Sequence, residues 1–487
     1  MIDSPHLHRM KDGNYLSEYA SPYEALGLTR EGVDEVYSLV DRNQSIDPRE
    51  PNHFRNWSQL PEEVVKAREK AKAIHLSSAM HFDKTVFLED NEEIKDLARR
   101  LGLSSRKDTL CSTGVLLANL IQLVSLDETN CIKVSMDNNR WGHNQSGNPL
   151  GVTASICKQL HLLADKGWGV IHSGYLDRRR GKGEQSRFEV NTQLKELLLK
   201  SSIESLRVTD KGVIRRKSLH KDEKTNRRKT LPVEEYEFPQ HVKDTQLALI
   251  NFNEFISNQC ITLERPYKPA FRDLIAFNVT YYGEDYSLHS RIHGGRYQQF
   301  SKDLRREQLR INGKRTVEVD ITESHPTILY ALAGCPLSED QLGKAYWIHD
   351  MKPCELERKT IKKAFAKIVN ADSPAEAKKS IQKAHNTDDD FDANRFGGVD
   401  NLMQLIEKRH EKIKSFFYTK DSGMMCLQIE GELMLEATKR GKDMNLVGLP
   451  MHDGLIVAAD NQLKMSALLK RCFYEITGTS CLIEIKS

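Results

Sequence analysis

The sequence predicts an α+β protein of several units, and three changes in its patterning carry that prediction. Up to about residue 104 apolar positions recur at helical spacing. From about 105 to 200 short helices give way to two alternating strands. From about 240 to the end longer helices return with a few strands between them, as in a separate α+β domain. The resulting division is 1–104 (helical N-terminal region), 105–200, 201–239 (basic linker) and 240–487. A chain of 487 residues has room for it, since domains run to about 100–200 residues.

Composition narrows the function classes. With 39% hydrophobic and 29% charged residues, no stretch approaches the roughly 20 apolar residues of a membrane span. The N-terminus, MIDSPHLHRMKDGNY, lacks the apolar core of a secretory signal, so a cytoplasmic protein without membrane partners is expected. Nine cysteines are scattered singly, with no CxxC pair, which reads as reduced core thiols rather than a zinc site. A net charge of +3 is too small to identify a nucleic-acid binder, so the distribution of charge matters more.

In the first region, LPEEVVKAREKAKAIHLSSAM places Val64, Ala67, Ala71 and Ile74 at helical spacing and offers no chemistry. It reads as a docking layer. In the second, Val152–Lys166 forms a helix with Ile156, Leu160, Leu163 and Ala164 on one face, leaving Thr153, Lys158 and His161 to solvent, and Gly167 stops it. GVIHSGYL and SRFEVN follow as strands. Between them lies the run Asp177, Arg178, Arg179, Arg180, Gly181, Lys182, Gly183. Like charges at such a tip repel unless they are solvated or face an anion. Helix, strand, basic turn and strand in this order resemble a winged helix whose wing tracks a phosphate backbone, with Arg178, Arg179, Arg180 and Lys182 as DNA contacts. The competing reading is a merely soluble loop, and winged helices also serve as protein docking modules.

The linker is basic from Arg207 to Lys229, through Lys211, Arg215, Arg216, Lys217, Lys221, Lys224, Arg227 and Arg228. Such runs are usually disordered when free. Against a polyanion each neutralised phosphate would release counterions, giving steep salt dependence rather than base reading; a solvated linker without partners is the other reading.

The chemistry is concentrated in the last region. Arg315–Asp320 (RTVEVD) alternates like a strand and ends in a carboxylate, and TESHPTILYALAG follows as a helix. Further on, MNLVGLP, the sequence Met451-His452-Asp453-Gly454 and LIVAA read as a hairpin with Asp453 at its tip. Two carboxylates on neighbouring strands repel, so a site holding both ionised wants a cation, and magnesium suits oxygen ligands of this kind. In ERKTIKKAFAKIVN, Arg358 and Lys362 are four apart on one helix face, with Lys359 and Lys363 as an adjacent pair. Cations fixed there suit the anionic tail of a nucleoside triphosphate.

Together these residues resemble the family A DNA polymerases. VEVDITESHP matches motif A, RKTIK the Arg-x-x-x-Lys of motif B, Gln428 in CLQIEGELMLEA a helix glutamine, and PMHDGLIV motif C, in the family's order. GGRYQQFSKDLRREQLRINGKRT precedes motif A much as in small mobile-element relatives. The resemblance covers residues 240 to 487 and implies a polymerase palm and fingers after a winged-helix-like domain. It implies Asp320 and Asp453 as catalytic metal carboxylates for two Mg2+ ions, with Mn2+ as a substitute, and Arg358 and Lys362 as catalytic and nucleotide-binding cations. It also implies His325, Gln428 and His452 as substrate contacts, and Arg296, Arg305, Arg306 and Arg310 as cations for template or primer.

Departures bear on the product. Five residues after the motif A aspartate the family usually has glutamate, where this chain has His325, so deoxy- against ribonucleotide choice stays open. The aromatic positions of motif B fall on Ala366 and Val369, with Phe365 as a neighbouring substitute. Gly454 replaces the acid that usually follows motif C, leaving Glu318 and Glu430 as candidate helpers. The chain is short for the family's large thumb and proofreading domain and shows no exonuclease acid set, so processivity is expected to depend on an accessory replication protein. The reading is a template-dependent DNA polymerase or polymerase-primase of a mobile element or phage, with DNA template and primer and nucleoside triphosphates as partners. The alternative is a winged-helix replication initiator or regulator with a degenerate palm. A phosphohydrolase built on His452–Asp453 and His349–Asp350 is disfavoured by the strand pattern around His452.

Overall fold

The computed structural model describes residues 79–126, 130–136, 141, 148–172, 175–177, 182–200, 205–209, 211–221, 228–264, 271–348, 352–419 and 421–486. Val64, Ala67, Ala71, Ile74, Arg178, Arg179, Arg180, His349 and Asp350 lie outside the described residues, and only the backbone of Lys182 is described. The chain divides into two compact units, Met1–Gly212 with His220–Val233, and Val213–Leu219 with Glu234–Ser487.

The first unit opens with β1 (Met80–His81), β2 (Val86–Leu88), α1 (Asn91–Leu101) and α2 (Leu110–Leu126). Asp90 caps α1 by accepting from the amides of Glu92 and Glu93. Helix α2 is apolar all round, and Val115, Leu116, Leu117, Leu120 and Leu123 are wholly buried, as a helix with no polar face requires. Then come β3 (Cys131–Lys133), α3 (Ser155–Asp165), β4 (Gly169–His172), β5 (Tyr175–Asp177), β6 (Lys182–Glu184), β7 (Arg187–Val190), α4 (Thr192–Leu199) and β8 (Leu206–Val208). One sheet runs β1-β3-β7-β4, while β5 and β6 pair as a small hairpin of their own. Helix α3 buries Ile156, Leu160 and Leu163 and exposes Lys158 and His161.

The stretch from 201 to 239, which composition marks as a linker, contains strands instead. Besides β8 it holds β9 (Ile214–Lys221) and β10 (Arg228–Thr230). The physical reason lies in alternation hidden under charge. Ile214 is buried, and two residues on the Arg216 guanidinium sits 4.6 Å from the Tyr286 ring centre and donates to the carbonyls of Gly283 and Glu284. An arginine that stacks and donates in this way occupies a core-facing strand position that a charge count assigns to solvent.

In the second unit follow α5 (Gln240–Ser257), β11 (Ile261–Leu263), β12 (Phe271–Arg272), β13 (Val279–Tyr282), β14 (Leu288–His289), α6 (Lys302–Gln308), β15 (Leu309–Ile311), β16 (Lys314–Ile321) and α7 (Ser324–Leu332). After them come α8 (Glu355–Val369), α9 (Pro374–Thr387), α10 (Val399–Arg409), α11 (Ser422–Asp443), β17 (Gly448–Met451), β18 (Gly454–Ala458), α12 (Gln462–Thr477) and β19 (Ile483–Lys486). The main sheet runs β12-β11-β15-β16-β18-β17, and β19 also pairs with β16. Strands β17 and β18 are buried along their whole length, which explains the unbroken apolar runs GLPM and GLIVA. Strand β9 enters a second sheet, parallel to β13, which pairs antiparallel with β14.

All nine cysteines are free. Cys131, Cys157, Cys426, Cys472 and Cys481 are core residues as expected, whereas Cys111, Cys260 and Cys354 are exposed. Among the described residues no helix is long and apolar enough to cross a membrane.

Candidate active site

Near its C-terminal end strand β16 sets Asp320 between β18 and β19, beside the β17–β18 hairpin. The antiparallel register sets Asp320 opposite Gly454, and the Ile321 amide donates to the Asp453 carbonyl at 3.4 Å. The two-residue turn His452–Asp453 joins β17 to β18, with His452 in the left-handed region at φ 57°. The two acids read from the sequence are therefore neighbours. Gly454 fits this register for a steric reason: a Cβ there would lie 2.6 Å from the Val319 carbonyl oxygen and 2.9 Å from the Asp320 Cα. The acid that usually follows motif C has no room opposite Asp320.

Asp453 feels the crowding of negative charge. Burial, then the Asp320 and Glu430 carboxylates, push its pKa up to about 6, only partly offset by Arg291. Asp320 is compensated from another direction, since Lys486 at the end of β19 donates to its Oδ2. Burial pulls the Lys486 pKa down, but Asp320, Glu484 and Asp453 outweigh it and raise it, holding the ammonium charged. Sequence patterning gave no sign of Lys486, because it depends on β19 returning from the C-terminus to pair with β16.

Glu430 on α11 has a different setting. It is wholly buried, accepts from Ser324 Oγ at 2.6 Å, and forms a two-point pair with Arg291 at 2.6 and 2.5 Å. Burial pushes its pKa up, but His325, Arg291 and Ser324 outweigh burial and bring it down to about 2. Gly431 permits this approach: a Cβ there would lie 2.7 Å from the Ser290 carbonyl oxygen, so any larger residue would push α11 away. His325 Nε2 lies 3.3 Å from Glu430 Oε1, which brings this departure from motif A beside a buried carboxylate from another helix. Glu318, the other helper candidate, is paired with Arg305 at 2.9 Å.

Helix α8 separates the four cations singled out from the sequence into two groups, and its fifth, Lys367, donates to the Ser380 hydroxyl at 3.1 Å. Lys359 pairs with Asp390 at 3.1 Å and Lys363 with Asp388 at 2.7 Å. Among the described residues neither Arg358 nor Lys362 has an ion-pair partner; Arg358 lies 5.8 Å from the Tyr346 ring centre and Lys362 is exposed. Buried Tyr346 connects this helix to the acids. Its hydroxyl is held protonated first by burial and then by Glu323, with Asp453 and Glu430 adding to the effect and Arg358 opposing it. Glu323 in turn accepts from the Ala345 amide at 2.8 Å, fixing the loop that carries Tyr346.

Other residues singled out from the sequence have different settings. Gln428 is on α11 but donates to Glu432 at 2.9 Å, and Glu432 lies 3.8 Å from His289. Arg296 is 4% exposed, and Arg310 pairs with Glu264 at 2.7 Å, so both act in packing and do not present a surface for template or primer. Arg305 is consumed by Glu318. Phe365, the neighbouring substitute for a base platform, is 1% exposed among Tyr346, His410 and Phe417, so it is a core residue and offers no stacking face. His452 is exposed at the turn.

Among the described residues no group of three or more His, Cys, Asp or Glu side chains is arranged to hold a metal ion. The Asp320–Asp453 pair nonetheless suits magnesium, which usually takes one or two carboxylates together with substrate phosphates and water. The charge crowding at Asp453 is what such a cation would relieve.

No protein-family model and no curated protein matches the chain. Solved structures similar to it include the POL domain of Pol1 from M. smegmatis in complex with DNA primer-template and dNTP, at 10% identity and a TM-score of 0.26, over 82% of this chain. This chain spans 66% of the length of that one. At that TM-score the likeness carries no argument about fold or activity.

Proposed function

We propose that the second unit is a template-dependent nucleotidyltransferase, a DNA polymerase or polymerase-primase that adds nucleotides to a 3′-hydroxyl. The observation that carries this reading is the pair of adjacent carboxylates, Asp320 opposite Gly454 and Asp453 in the next turn, with the second pushed up by the first and by Glu430. The reaction joins the 3′-oxygen to the α-phosphorus, loses the hydroxyl proton and breaks the bond to the β-phosphate, releasing pyrophosphate.

Asp320 and Asp453 would hold Mg2+, which when bound lowers the pKa of a coordinated hydroxyl and neutralises phosphate charge. Arg358 and Lys362 bind the triphosphate tail, since Lys359 and Lys363 are held by Asp390 and Asp388 and Lys367 by the Ser380 hydroxyl. Lys486 steadies Asp320, and Arg291 and Ser324 steady Glu430 behind the site. His325, beside Glu430, faces the sugar of the incoming nucleotide in this reading. The helix–strand–hairpin order of the first unit supports a winged-helix-like DNA-binding domain.

The test is nucleotide incorporation on a single-stranded template, with and without primer, using deoxy- or ribonucleotides. Magnesium-dependent extension is expected, and Arg358→Ala and Lys362→Ala each raise the nucleotide KM by about 10-fold or more, the scale of a lost charge-assisted contact. Lys359→Ala and Lys363→Ala leave it unchanged. DNA binding without any incorporation would favour the initiator reading instead.

A further inference from the structure

The residues picked for template and primer contact, Arg296 and Arg310, are packed within the unit, which leaves open what would grip a polyanion beside the acid pair. Strand β9 supplies cations there. Its parallel register sets Arg215 opposite Thr280 and Lys217 opposite Tyr282, so these two side chains share one face of the β9–β13–β14 sheet. The other face is taken up by packing: Tyr281 is 1% exposed and donates to Thr245 on α5, and Arg216 covers Tyr286.

On the far side of β13 the chain leaves β14 and passes through Arg291 and His293, with His293 bridged to Asn278. Arg215 and this segment thus flank one strand, two inter-strand spacings or about 10 Å apart. The same segment is tied to the catalytic hairpin, because Tyr297 and Gln298 donate to the Pro450 carbonyl at 2.6 and 2.9 Å, just before His452 and Asp453. Partial desolvation of its ring, then the charges of Arg215, His452, Arg291 and Lys217, hold His293 down at about 4. The cations of β9 therefore lie across β13 from the segment that is tied to the turn carrying Asp453.

We infer that Arg215 and Lys217, on a strand inserted into the second unit, form beside His293 a phosphate-backbone track that leads a nucleic-acid strand to Asp320 and Asp453. The inference rests on the nucleotidyltransferase reading for the direction of the strand, but its test does not require turnover. Electrostatic contacts of this kind bind without reading bases, and each neutralised phosphate contributes about 0.9 to the slope of log affinity against log salt on duplex, or about 0.7 on a single strand.

The experiment measures the salt dependence of binding by fluorescence anisotropy, using the full chain and labelled primer–template duplex and single strands of DNA and of RNA. The double variant Arg215→Gln, Lys217→Gln is expected to lower the slope by about 1.8 on duplex or about 1.4 on single strand, and Arg215→Lys, Lys217→Arg to restore it. Lys464→Gln, Lys470→Gln, on the exposed face of α12, leaves the slope unchanged. Circular dichroism melting of each variant separates lost contacts from lost folding, and the charge-conserving variant provides the folded reference. An unchanged slope in the folded glutamine double variant overturns the inference. A lowered slope in a protein that never incorporates nucleotide overturns the catalytic reading alone, and incorporation with an unchanged slope overturns this inference alone. The difference between the DNA and RNA arms identifies which backbone the track takes.

Discussion

Half-buried Asp453 and buried Glu430 are carboxylates of one site with opposite settings. Glu430 is enclosed by Arg291 and Ser324 with His325 nearby, and its pKa falls to about 2. Asp453 has carboxylates for neighbours, and burial followed by Asp320 and Glu430 raises its pKa to about 6. A paired acid behaves as structure, whereas a crowded one stores charge repulsion that only a cation or a proton relieves. Burial alone therefore does not distinguish a catalytic acid from a structural one; the sign of its surroundings does.

The largest stability effect is expected on the compensated side. Glu430→Ala leaves the half-buried Arg291 without its partner and costs about 3 kcal/mol, measured by chemical denaturation. A cost near zero would mean that the pair contributes no structure. Gly454→Ala comes next, at about 1–3 kcal/mol, because its Cβ meets the β16 backbone at 2.6 and 2.9 Å. A melting temperature equal to that of the parent would contradict the register of the acids.

Asp453→Asn has the opposite sign and stabilises the protein by roughly 1 kcal/mol at pH 8. The direction follows from linkage. The folded-state pKa is raised from 3.8 to about 6, so the penalty is present in full above pH 6 and fades as pH falls through that value toward 3.8. Thermal melts across pH should show the gain disappearing at acid pH. Glu430 works in reverse: its stabilisation is present above its ordinary value of 4.5 and is lost as pH falls toward 2. The smallest effect is at Lys359 and Lys363, whose surface pairs with Asp390 and Asp388 contribute about 0.5 kcal/mol or less, read from the same melts after substitution by alanine.

The two sides of the comparison were unequally legible in the sequence. Asp320 and Asp453 could be placed because strand alternation and a hairpin turn are local patterns, and β16, β17 and β18 follow them. Glu430 entered only as a candidate helper, and Arg291 and Lys486 not at all, since their partnerships span 139 and 166 positions of chain. No window of periodicity reaches across such separations. Arg296 and Arg310 mark the same boundary from the other direction, as charge density says nothing about which guanidinium is turned inward to a carboxylate or a core. Strand β9 escaped notice because two arginines and two lysines fill positions that usually carry β-branched or aromatic residues.

The most direct test of the central claim is magnesium-dependent primer extension by Asp453→Asn beside the parent and Lys359→Ala. The account predicts that Asp453→Asn loses incorporation by about 100-fold or more while staying folded, as expected for removal of a group stabilising charge in the transition state, and that Lys359→Ala matches the parent. Full incorporation by folded Asp453→Asn would contradict it.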